Sequence, residues 1–161
     1  MCNRLRNVQH LSRRLREQKE YAAERELLTS MQRALEKVDT PSAERMRLAS
    51  QIYHLIGDLH HFHLAEKETS LQAYKTEERI LGELSKQSGG GQSLANFRFW
   101  LNRNSALAYH RYGDLSEARR RLHAAIAIAE KFPESITDSQ LIEKERVRLE
   151  QWKSETDNGD L

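Results

Sequence analysis

His54, Asp58 and His61 stand at positions i, i+4 and i+7 of an apolar-patterned stretch, a spacing that puts three metal-capable side chains on one helix face. His60 and His63 lie beside them. A zinc-type centre also needs a third or fourth ligand and partners that orient the imidazoles, and the sequence supplies neither in a recognisable spacing. The expectation is therefore of partly exposed amphipathic histidines and no bound metal. Other catalytic signatures are missing as well. No serine sits in a Gly-x-Ser-x-Gly turn, no His-Glu-x-x-His occurs, and Gly89-Gly90-Gly91 is not followed by the Lys-Ser/Thr of a phosphate loop. A chain without enzymatic activity and without a cofactor is expected.

Two basic clusters could touch phosphates: Arg4, Arg6, Arg13, Arg14 and Arg16, and then Arg119, Arg120 and Arg121. Glutamates accompany both, with Glu17, Glu20, Glu24 and Glu26 after the first and Glu117 before the second. Pairs such as Arg13–Glu17 and Arg16–Glu20 read as surface stabilisation between successive helical turns. The whole chain balances 26 Lys+Arg against 24 Asp+Glu. No net field draws it to nucleic acid or to an anionic membrane. Nucleic acid is thus a secondary alternative, as is self-association of an amphipathic terminal helix.

These side chains would be carried by helices. Strand-like alternation is almost absent, and 161 residues suffice for one domain over 1–155. The apolar stripe Leu5, Val8, Leu11, Leu15 resumes at Ala23, Leu27, Met31, Ala34 and Val38, as one long helix or as a hairpin. Thr40-Pro41 suits a helix start. The next helix carries Leu48, Ile52, Leu55, Ile56 and Leu59 and runs to about Phe62. A fourth spans about 65–86, with Leu71, Tyr74, Ile80, Leu81 and Leu84. Ser88 to Gln92 reads as a linker, and Ser93 as a cap for an aromatic helix over 94–112. Asp114 and Glu117 form a capping box, Asp114 accepting from the Glu117 amide while Glu117 reaches back. A sixth helix ends near Phe132-Pro133, and a last one over about 137–153 aligns Leu141, Ile142, Glu145, Leu149 and Trp152. Residues 156–161 read as a short acidic tail, expected to be disordered. Cys2 is the only cysteine, which excludes an internal disulfide. No stretch has the apolar length of a membrane span, so a cytoplasmic protein is expected.

Within the hairpin from Asn104 to Phe132, small and large residues fall in a recognisable order: Ala106, Tyr109, Gly113-Asp114, Ala118, Leu122 and Ala125. Alanines let paired helices approach, while Tyr109 and Leu122 fill the space beside them. This order resembles the tetratricopeptide repeat family. A weaker copy starts at Tyr53, Ile56 and Gly57 and continues at Gln72-Ala73-Tyr74. A still weaker one holds Ala23, Leu27 and Ser30. The resemblance implies an all-α, right-handed array of about three stacked antiparallel hairpins with a C-terminal capping helix. It implies a protein or peptide partner held in a groove lined by the first helix of each pair. By register those residues are Trp100, Arg103, Asn104, Leu107, His110 and Arg111, and from the earlier copy Gln51, His54, Asp58 and His61. The Lys-Asn-Lys-Arg clamp that some members of the family use for acidic C-termini is not matched, since only Asn104 fills an equivalent role. Such tails are therefore disfavoured as ligands.

Overall fold

In the computed structural model, residues 2–37, 42–88, 91–136 and 138–155 are described, with side chains from Asn7 onward and without that of Ser88. The side chains of Arg4, Leu5 and Arg6, and the sequence expectations for Val38, Thr40-Pro41, Gly89-Gly90 and the tail 156–161, lie outside what is described. Among the described residues every regular element is helical, an all-α fold of helices packed in adjacent pairs. In chain order these are α1 (Cys2–Glu17), α2 (Tyr21–Glu36), α3 (Ala43–Asp58), α4 (Lys67–Ser88), α5 (Ala95–Arg111), α6 (Leu115–Lys131) and α7 (Ser139–Ser154). A π-helical turn, Leu59–Leu64, continues α3, and a 3-10 turn, Gln92–Leu94, leads into α5. None of the described helices is long and apolar enough to cross a membrane. The chain divides into two compact units, Met1–Ile80 and Leu81–Leu161, the division falling inside α4.

In the first unit α1 and α2 form a hairpin, which decides between the two readings of the N-terminal stripe. The reversal uses no glycine. Lys19 takes a positive φ of 59°, its N–H donates to the Arg16 carbonyl, and the Glu20 N–H donates to the Leu15 carbonyl. These two bonds are the Schellman pattern that closes a helix C-terminus. The core of this unit gathers Leu28, Ile52, Ile56, Leu59 and Ala73, with Val8, Leu48 and Tyr53 packed against it. Gly57 permits a close approach there: a Cβ at that position would lie 2.5 Å from the Tyr74 ring.

The expected stripes of α1 and α2 hold at Val8 and Met31, which pack against this core, but shift by one residue at two other places. Leu11 is 45% exposed while Ser12 is buried, and Ala23 is exposed while Glu24 and Leu28 are buried. The reason is a buried ion pair, described below, that claims the centre of the contact. Ser42, one residue beyond the expected Thr40-Pro41 start, caps α3 by accepting from the Arg45 N–H.

The second unit is built on the α5–α6 hairpin. Ala106, Ala108, Ala118, Ala125 and Ala129 are all buried, as the small-residue spacing requires for close helix contact. Gly113 has φ +88°; its N–H and that of Asp114 return to the carbonyls of His110 and Tyr109, again closing a helix in the Schellman pattern. Asp114 accepts from the Glu117 amide at 3.0 Å. The reciprocal half of the expected capping box is absent, because the Glu117 carboxylate is taken by Arg120 and Arg121 instead. Those guanidiniums, Arg120 foremost, outweigh its partial burial and hold its pKa at about 2. Ser93 lies inside the 3-10 turn and does not cap α5, whose first turn follows Leu94. Phe99, Ala125, Ala129 and Ile136 form a core cluster against which Leu141 and Ile142 of α7 pack.

Candidate functional site

In the first unit the histidine face of α3 is turned into a buried polar chain. The Ser50 hydroxyl donates to Glu77 Oε1 at 3.4 Å, and Glu77 Oε2 accepts from His54 Nδ1 at 2.9 Å. His54 Nε2 lies 3.6 Å from Asp58 Oδ2, and Asp58 Oδ1 accepts from the Tyr74 hydroxyl at 2.8 Å. Burial alone would lower the pKa of His54, but the carboxylates of Asp58 and Glu77 outweigh it and raise it to about 9. The imidazole is thus a cation at neutral pH. Burial pushes the Glu77 carboxyl upward against the pull of His54, and burial followed by Asp58 pushes the Tyr74 phenol well above its ordinary value. These are charges holding one another, with little left to offer a ligand.

Neighbouring groups are engaged in the same way. Glu24, fully buried on α2, accepts from Arg16 Nε at 2.7 Å and from the Ser12 hydroxyl at 2.5 Å, and Arg16 also reaches the Leu55 carbonyl at 3.1 Å. Arg16 therefore joins Glu24 in the interior instead of the expected surface partner Glu20, while Arg13–Glu17 forms as expected at 2.9 Å. In the π turn, His60 Nδ1 meets Glu66 at 2.8 Å, and Glu66 is gripped by Arg25 through both oxygens. Burial lowers the pKa of His60 despite that carboxylate. His61 is 3% exposed and packs edge-on to Phe62, with ring centroids 4.3 Å apart. Gln51 is half-buried, its Oε1 enclosed without a hydrogen-bond partner among the described residues. Among the described residues no group of three or more His, Cys, Asp or Glu side chains is placed so that it could hold a metal ion.

In the second unit the structure brings Arg103, Asn104 and His110 together on one face of α5, and that face is occupied by α7. Arg103 Nε donates to Glu145 Oε1 at 2.8 Å, and its Nη1 donates to Asn104 Oδ1 at 2.9 Å. Arg148 takes the other oxygen of Glu145, which is fully buried between the two guanidiniums. Seven residues further along both helices, His110 stacks on Trp152 at 4.2 Å and 12°, and its Nε2 meets Glu155 at 2.8 Å. The equal steps mean that α5 and α7 run in the same direction. Arg119 of α6 completes the contact by donating to the Trp152 and Glu155 carbonyls at the end of α7. A cation there satisfies orphan carbonyls and complements the helix dipole. Trp100 is 36% exposed and lies under the Arg103 guanidinium, 5.5 Å from its centroid. Leu107 is half-buried and Arg111 exposed.

Of the acidic half of these contacts, Glu145 falls on the expected inward stripe of α7 with Leu149 and Trp152, Glu24 was expected at the surface, and Glu77 carried no expectation. Arg121, assigned to a solvated cluster, is 4% exposed, reaches the buried Ser105 hydroxyl at 3.3 Å and lies over the Tyr109 ring. Two hollows of about 690 and 510 Å³ run along α2 and α7, each lined by a single helix. They are surface depressions, unlike the concave, enclosed sites that hold small ligands. Comparison with family models, with curated proteins and with solved structures gives no match.

Proposed function

We propose that the chain is a non-enzymatic protein–protein interaction module of tetratricopeptide-like build, in which the α5 face accepts a peptide or partner helix. One observation carries this reading. Arg103 and His110, seven residues apart, receive a carboxylate and an aromatic ring that are seven residues apart on another helix. This is helix-in-groove recognition with regularly spaced anchors. The α3 set is a weaker candidate, because His54 and Asp58 already satisfy one another and Glu77. Nucleic acid fits less well, since Arg13, Arg16, Arg120 and Arg121 each hold a carboxylate of the same chain.

The test is to pan a library of helical peptides against the full chain and to map each binder by hydrogen exchange. The expected binders carry an acidic residue and, seven positions later, an aromatic one. They protect α5 and lose at least tenfold in affinity to His110→Ala. Failure to select any peptide, or footprints that spare α5, would overturn the reading.

A further inference from the structure

We propose that α7 is the intramolecular occupant of the α5–α6 acceptor face and is released when a partner helix of the same chemistry takes its place. The proposal rests on the interaction reading above and adds its regulation. The occupant is specified by what α7 presents: a buried glutamate, an aromatic seven residues on, a second acidic residue three beyond that, and a helix C-terminus. The acceptor supplies the complement, with Arg103 for the carboxylate, His110 for the ring and the second acid, and Arg119 for the terminal carbonyls.

Two features mark this contact as one that selects and exchanges. A carboxylate buried between two guanidiniums is a poor way to maximise stability, because apolar residues of similar volume commonly do as well or better. It does impose register and partner choice, since any occupant lacking the acid leaves the partly buried Arg103 without a carboxylate. The second feature is the connection. Helix α7 is tied to α6 by the short segment 132–138, so its local concentration at the face is of millimolar order. A free helix must compete with that tether. An intact chain should therefore bind the partner weakly and an opened chain tightly.

The full-length chain, as wild type and as Glu145→Gln, is titrated with a labelled synthetic peptide of residues 138–155 while hydrogen exchange is followed. In the Glu145→Gln chain the α7 amides should exchange at least tenfold faster, with α5 and α6 still protected. That chain should bind the peptide at least tenfold more tightly than the wild type, and a peptide carrying Glu145→Gln should lose this binding. Trp152→Ala loosens α7 and leaves the acceptor untouched; it repeats the comparison should Glu145→Gln fail to fold. A loosened α7 without peptide binding overturns the proposal. So does loss of α5 and α6 protection whenever α7 opens in both variants, which would make α7 an integral third helix. Library peptides that bind closed and opened chains equally would sink the release and leave the interaction reading standing. If no peptide binds either chain, the interaction reading itself falls.

Discussion

Raising the pH through 9 should weaken the first unit by about 3 kcal/mol, through one residue. His54 is held near pKa 9 by Asp58 and Glu77 against the opposing effect of burial, while the unfolded chain returns it to 6.5. Each pH unit between the two values is worth about 1.4 kcal/mol, so the full contribution is about 3 kcal/mol. The folded value lies above the unfolded one. The stabilisation is therefore complete below pH 6.5 and is lost progressively as the pH rises through 9. Urea unfolding of wild type and His54→Asn across this window isolates the cluster, since the titrating groups outside it are common to both chains. The wild-type advantage should be largest near pH 6.5 and should shrink by about 3 kcal/mol on the alkaline side of 9. The His54 ring resonances, followed by NMR, should titrate near 9. Parallel stability curves for the two chains, or a ring midpoint at or below 6.5, would refute the electrostatic account of this cluster.

Removing Glu24 leaves the partly buried Arg16 without its carboxylate, so Glu24→Ala should cost up to about 3 kcal/mol in urea unfolding. Replacing Arg16 and Glu24 together by Met and Leu should recover most of that loss. Gly57→Ala must push the Tyr74 ring off the α3 backbone, at about 1–3 kcal/mol. The same substitution should be nearly silent in a Tyr74→Leu background, and a double-mutant cycle by thermal unfolding measures the difference. Lys19→Gly relieves a left-handed residue at the end of α1 and should raise stability by up to about 1 kcal/mol. No change or a loss in the unfolding midpoint would show that the Lys19 side chain contributes something the backbone argument omits.

Much of this architecture is legible in the sequence where the signal is steric. Buried alanines at 106, 118 and 125 flank a Gly-Asp turn, and the α5–α6 hairpin forms as that spacing predicts. The α1–α2 reversal was ambiguous because its left-handed position is filled by Lys19, and lysine carries no turn signal. The site residues divide along a similar line. Arg103, Asn104 and His110 could be assigned to one face from helical register alone. What faces them could not, because α7 reaches that surface through a loop whose path register does not encode. An amphipathic reading also treats a glutamate as a solvent residue, which hid Glu24 in α2, whereas Glu145 stood in the expected stripe of α7.

Yet the buried glutamates do share a local pattern. Glu24 follows Tyr21 by three and precedes Leu28 by four; Glu77 stands between Tyr74 and Leu81, and Glu145 between Ile142 and Leu149, at the same spacings. No other glutamate in the chain has an aromatic or branched apolar residue at −3 together with leucine at +4. Those offsets place a carboxylate inside the apolar stripe of its own helix, where an uncompensated charge is too costly to keep. Each must therefore meet a cation from another helix, and each does: Arg16 from α1, His54 from α3 and Arg103 from α5. The cations precede their glutamates by 8, 23 and 42 residues. Those separations follow loop and helix lengths, so the need for a partner is written locally while its identity is not. Helical period announces the socket in each contact, and only the packed chain reveals which arginine or histidine fills it.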